Sequence, residues 1–116
     1  MPLSDPIGLP EFESCDGADF RVWTSGGNTW HLAGEVDLRA ETLLRSAMHE
    51  ASASETALVL DCGRLSFIDV AGLRVIAQAA LLMDTPVTVN GANEMLRRAW
   101  SLLGLYAAAP NVEFSA

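Results

Sequence analysis

Most of the groups in this chain that could move a proton are carboxylates. Glu35 with Asp37, and Asp61 with Asp69, are the pairs in which one carboxyl could act as general acid beside a second acting as base. Each aspartate also suits a structural role. Asp37 and Asp69 stand where a helix needs an N-cap, and Asp61 closes an apolar run. Cys15 and Cys62 are far apart and belong to no C-x-x-C pair, so they read as reduced thiols. His31, on an apparent strand, and His49, on an apparent helix, are isolated, with no H-E-x-x-H motif, and no metal site is expected. The chain has no G-x-S-x-G elbow, no G-x-x-x-x-G-K-S loop and no G-x-G-x-x-G turn. It also has no lysine, which removes the usual phosphate-loop and Schiff-base roles. No catalytic residue and no cofactor are therefore assigned, and the chain is not expected to be an enzyme.

The charge balance narrows the partners. Seven basic residues, all Arg, face fifteen acidic ones for a net charge of −8, the reverse of what phosphate neutralisation requires, so direct nucleic-acid binding is not expected. The longest apolar segment, Leu73 to Met83, is interrupted by Arg74 and Gln78 and is too short to span a bilayer. The first residues show neither a basic start nor a long apolar run, so no secretory signal is read and a cytoplasmic location is expected. With 116 residues, half of them apolar, one domain with a real core is expected.

The elements that must position these residues follow from periodicity. Pro2, Pro6, Pro10, Gly8 and Gly17 mark residues 1–18 as an irregular leader, with the folded domain over 19–116. Phe20 to Trp23 and Thr29 to Leu32 alternate, and Gly26-Gly27-Asn28 between them can reverse the chain, which predicts a hairpin. Asp37 should cap a helix whose buried stripe is Leu43, Leu44, Ala47, Met48 and Ala51. Ala57 to Leu60 reads as a central strand ended by Asp61 and Gly63, followed by a separate apolar cluster from Leu65 to Ile68. Asp69 caps a helix running to Met83, and Val87 to Val89 is a strand. Met95, Leu96, Ala99, Leu102 and Leu103 form a third helical stripe, with Gly104 as its C-cap. Leu105 to Ala109 stays ambiguous, and Val112 to Phe114 is a last strand. The order β-β-α-β-α-β-α-β predicts a small α/β domain with a mixed sheet, an N-terminal hairpin and helices packed on the sheet.

One turn stands out on physical grounds. A strand ends at Ile68, Asp69 caps the next helix, and free amides at a positive dipole end are offered by its first turn. Gly72, lacking a Cβ, suits either an approaching partner or close packing of helix on sheet.

Leu58-Val59-Leu60-Asp61 followed by Leu65 to Leu73 resembles the signature of the STAS domain, the module shared by sulfate transporters and bacterial anti-sigma-factor antagonists. Gly34-Glu35-Val36-Asp37 looks like the family's G-E-x-D segment, and Leu102-Leu103-Gly104-Leu105 is similar to the turn after its third helix. The resemblance spans roughly residues 19 to 114. It implies a non-catalytic regulatory module that sequesters an anti-sigma factor, itself an ATP-binding kinase, and so releases a sigma factor. It also implies a partner surface of Asp69, Val70, Ala71, Gly72 and Arg74 with Glu35 and Asp37 beside it. In the antagonists the turn reads D-S-[ST]-G, and the serine after the aspartate is phosphorylated. Here Val70 and Ala71 carry no hydroxyl, and Ser66, three residues before Asp69, is not expected to substitute. The alternative from the same resemblance is a cytoplasmic STAS accessory subunit of a lipid-transport ABC system, which docks on an ATPase and needs no phosphorylation.

Overall fold

The computed structural model describes residues 19–115, so the expected leader lies outside the described residues. A hairpin opens the fold: β1 (Phe20–Gly26) runs antiparallel to β2 (Thr29–Val36). Gly27 and Asn28, with φ of 61° and 59°, make the two-residue turn whose left-handed backbone matches the twist of the strands. The Asn28 side chain also ties this turn to the body of the protein. Its Nδ2 donates to the carbonyls of Ala51 and Thr56, and its Oδ1 accepts from Trp30 Nε1 at 3.0 Å.

After β2 the chain makes a 3-10 turn (Leu38–Ala40) and enters α1 (Glu41–Ser52). β3 (Leu58–Ile68) leads to α2 (Val70–Leu81), then β4 (Val87–Asn90), α3 (Glu94–Leu102), a one-turn α4 (Leu105–Ala108) and β5 (Val112–Ser115). The five strands form one sheet in chain order, antiparallel between β1 and β2 and parallel thereafter. Because each parallel crossover moves one strand further in the same direction, right-handed connections put the helices on one face. Burial follows that geometry. Leu32, Leu58, Leu60, Val87, Val89 and Val112 are buried and join the core with Leu44, Met48, Leu73 and Ile76 of the helices. Their neighbours in each strand, among them His31, Val59, Asp61 and Thr88, point to the other face and keep part of their surface in solvent.

Two sequence expectations are corrected. Asp37 does not cap α1: it caps the 3-10 turn, its carboxylate accepting from Arg39 N at 3.0 Å, and α1 begins after Ala40 with no side-chain cap. The intervening turn leaves Leu38 79% exposed. The strand expected to stop at Asp61 continues through Gly63 and Arg64 to Ile68 as one strand of 11 residues. Its register against β2 slips twice, between His31 and Ala33 and between Gly34 and Glu35, so the polar Asp61–Arg64 stretch is absorbed as irregularity in the ladder. Ladder pairing with β4 ends at Asp61, and the second half of β3 runs on beside β2 alone. The one-turn α4 settles the segment that periodicity left open.

Gly34 is the residue that lets the hairpin close. It has φ of +93°, and a Cβ there would lie 2.0 Å from the Asp19 carbonyl oxygen, which accepts from Glu35 N at 2.8 Å.

Candidate functional site

The turns that follow β2, β3 and β4 gather at one end of the sheet. Asp69 joins two of them: its N–H donates to the Val36 carbonyl at 3.0 Å, and its Oδ1 accepts from Gly72 N at 2.8 Å, capping α2 as expected. Val70 begins the helix and is 46% exposed, Ala71 is half-buried, and Arg74, one turn on, is exposed on the same side. Glu35, opposite Phe67 in the ladder, is exposed. Asp37 pairs with Arg39 at 3.2 Å, and that guanidinium above all holds its carboxyl below the usual carboxylate range. Glu35, Asp37, Asp69, Val70 and Arg74 therefore share one end of the molecule.

Gly72 does not offer itself to a partner. It is buried, and a Cβ there would lie 2.7 Å from Ile68 Cγ1 and 2.8 Å from Val36 Cγ1. Of its two sequence readings the structure takes close packing: glycine lets the first turn of α2 settle onto the ends of β2 and β3.

Three residues not singled out in the sequence complete this end. Leu38, Phe67 and Met95 are exposed apolar side chains, at 79%, 42% and 65%, just after β2, near the end of β3 and in the first turn of α3. A shallow groove runs between the free half of β3 and the first turn of α3, with Phe67, Ile68, Met95 and Leu96 in its walls. Periodicity placed Met95 in the stripe of the third helix and Phe67 only within an apolar cluster, because an apolar letter does not say which way it points. Leu38 carried a usable signal, standing outside the helical stripe directly after a capping aspartate. Ser66 lies beside this end, its Oγ donating to the Gly34 carbonyl at 3.0 Å.

A second cluster lies on the open face of the sheet, near the start of β2. His31 Nδ1 is 2.9 Å from Asp61 Oδ2, and His31 Nε2 is 3.0 Å from Ser25 Oγ. The Gly63 N–H first, and His31 after it, hold the Asp61 carboxyl below its ordinary range, against partial burial acting the other way. An ionised Asp61 accepts only, so Nδ1 carries the proton, which leaves Nε2 as the ring nitrogen that accepts from the Ser25 hydroxyl whenever it is unprotonated. Trp23 stacks on the imidazole, ring centres 5.3 Å apart and 12° from parallel, and the Arg21 guanidinium lies 5.6 Å from the Trp23 ring centre. The sequence reading left His31 isolated and Asp61 at a strand end. Only the β1–β2–β3 register makes them neighbours. Among the described residues no three His, Cys, Asp or Glu side chains are grouped to hold a metal ion.

The order of elements and the docked turn after β3 meet a matching family model, described as "Mlab, STAS domain", over residues 22–107. The chain belongs to the STAS domain family. Solved structures share the fold. An anti-sigma factor antagonist from Mycobacterium paratuberculosis aligns at a TM-score of 0.63 with 23% identity, covering 80% of this chain and 82% of that one. The anti-sigma factor antagonist SpoIIAA in its unphosphorylated form aligns at 0.57 with 18% identity, covering 72% and 82%. The Bacillus cell fate determinant SpoIIAA in the phosphorylated form aligns at 0.57 with 17% identity, covering 84% and 91%. No curated protein matches the sequence. Among the described residues of this STAS domain, no helix is long and apolar enough to cross a membrane.

Proposed function

We propose that this STAS domain is a regulatory protein-binding module that acts through the end carrying Val70, without catalysis at that surface. In this reading it resembles an anti-sigma-factor antagonist, sequestering an anti-sigma factor of the ATP-binding kinase type and releasing a sigma factor in the cytoplasm. The observation that carries it is that Leu38, Phe67, Val70 and Met95 are all exposed and apolar at the end of the sheet where Asp69 caps α2. Apolar side chains flanked by Glu35, Asp37 and Arg74 have the make-up of an interface centre with a polar rim. Val70 stands where the antagonists carry their phosphorylated serine, so the complex has no switch at this turn. A phosphate there would add about two negative charges to the contact; valine adds apolar area instead.

The test pairs the protein with its cognate anti-sigma kinase and ATP. Intact mass should show no phosphate on the native chain, and the complex should persist. Val70→Ser should take up one phosphate and dissociate. Stoichiometric phosphate on the native chain, on Ser66 above all, would overturn the reading.

The accessory-subunit reading is supported by two observations: the description of the matching family model and the missing hydroxyl. In it, the same apolar end docks on the ATPase of a lipid-transport ABC system. Titration against the purified ATPase and the purified anti-sigma factor separates the two, since Val70→Asp should weaken whichever binding is real.

A further inference from the structure

We propose that Ser25 is a nucleophile activated by His31, in a small site on the open sheet face that cleaves short-chain acyl esters. The arrangement has the three parts that make a serine hydroxyl reactive: a base within hydrogen-bond reach at 3.0 Å, a carboxylate at 2.9 Å on the far ring nitrogen, and an accessible Oγ. Asp61, itself held by the Gly63 N–H at 3.0 Å, is a positioning residue that fixes the tautomer. Trp23 is a second one, since its stack on the imidazole sets the plane of the ring. The Oγ opens onto a depression of about 370 Å³ walled by Trp23, Ser25, His31, Asp61 and Arg64, with Leu32 below. That volume suits a small acyl group, and Arg64 is the positive group available there to a developing oxyanion.

The chemistry closes without an added oxidant or reductant. Ser25 Oγ attacks the ester carbonyl carbon while its proton passes to His31 Nε2. The carbonyl carbon–oxygen bond to the alcohol then breaks, and the departing oxygen takes that proton. Water repeats the sequence on the acyl-serine, releasing the carboxylic acid and restoring the Ser25 hydroxyl. The site lies beside the start of β2, whereas the docking turns follow its end, so the proposal stands apart from the partner-binding reading.

Two probes test it on the intact protein: a fluorophosphonate, which traps an activated serine with loss of fluoride, and p-nitrophenyl acetate. The expected result is one adduct per chain, mapped to Ser25 by peptide mass, and none in Ser25→Ala. His31→Gln should slow labelling and ester cleavage about 100-fold, the usual worth of a positioned general base. Asp61→Asn should slow both and shift the pH profile of labelling, which a merely structural role would leave in place. Circular dichroism confirms that each variant is folded; if His31→Gln is not, Asp61→Asn carries the comparison. Absence of the Ser25 adduct would overturn the proposal. So would labelling of folded His31→Gln or Asp61→Asn at the native rate, since Ser25 would then be an ordinary exposed hydroxyl.

Discussion

The docking end and the open sheet face are built on the same two strands, yet they are held by different forces. At the docking end the backbone does the holding. The Val36 carbonyl, the Asp69 cap and the packed Gly72 fix the first turn of α2, and the exposed apolar side chains of Leu38, Phe67, Val70 and Met95 lie at that end of the sheet. On the sheet face the side chains hold each other, with Ser25, His31 and Asp61 in one relay and Arg21, Trp23 and His31 in one stack. A frame made by backbone tolerates changes of the surface residues it carries, Val70 among them. A relay made by side chains loses its geometry when any member changes.

Substitutions can break that contrast, beginning with the frame. Gly34→Ala places a Cβ against the Asp19 carbonyl oxygen at a φ that L-residues rarely adopt, and should cost about 3 kcal/mol or more. Gly72→Ala, pressed against the branched Cγ1 atoms of Ile68 and Val36, should cost about 1–3 kcal/mol by overpacking. Urea unfolding measures both. A Gly72→Ala protein of native stability would mean that the helix start is loose rather than fixed.

Val70→Asp should do the opposite. Its exposed position keeps the stability change within about 0.5 kcal/mol, while binding to the cognate partner weakens about 30-fold or more, the size of a central interface residue. Calorimetric titration beside thermal melts separates the two effects. Loss of stability with native affinity would place the contact elsewhere.

The relay should show itself in acid. Asp61 has a folded pKa lowered from 3.8, so the folded state binds its proton less readily than the unfolded chain. Its contribution is therefore complete above that unfolded value and is lost as pH falls through the lower folded one. With the Asp61 side chain 44% exposed, the effect is discounted to under about 1 kcal/mol. Stability measured from pH 6 down to pH 2 should fall less steeply in Asp61→Asn than in the native protein. Equal slopes would show that the carboxylate gains nothing from Gly63 and His31.

The smallest effect concerns the buried layer between the two regions. Burial first, and the Asp61 charge after it, push the Cys62 thiol up to about 12. In the folded protein it should resist a thiol reagent at pH 8 and react once urea unfolds the chain. Rapid native labelling of Cys62 would mean that β3 opens locally.

Much of the architecture was legible because each element advertises its own period or cap. The helical stripe Leu43, Leu44, Ala47, Met48 and Ala51, the Asp69 cap and the Gly26-Gly27-Asn28 reversal are local signals; the structure keeps all three, with Leu43 only half-buried and Gly26 still in β1. β3 was read as two pieces because Asp61, Gly63 and Arg64 look like a turn, and only pairing along β2 makes them part of a strand. The site was legible where it depends on adjacent residues, as in the run Asp69-Val70-Ala71. It was hidden where it depends on partners across strands, as for Phe67 against Met95.

From the letters alone follow the α/β order, the absence of a hydroxyl at Val70 and the acidic character of the chain, since each is a property of composition or of neighbours along the backbone. Tertiary structure alone decided that Gly72 faces inward, that Phe67 and Met95 face outward, and that Ser25, His31 and Asp61 meet. The physical reason is that burial and hydrogen bonding join residues remote in sequence. Ladder register brings the second group together, and the seating of α2 on the strand ends turns Gly72 inward.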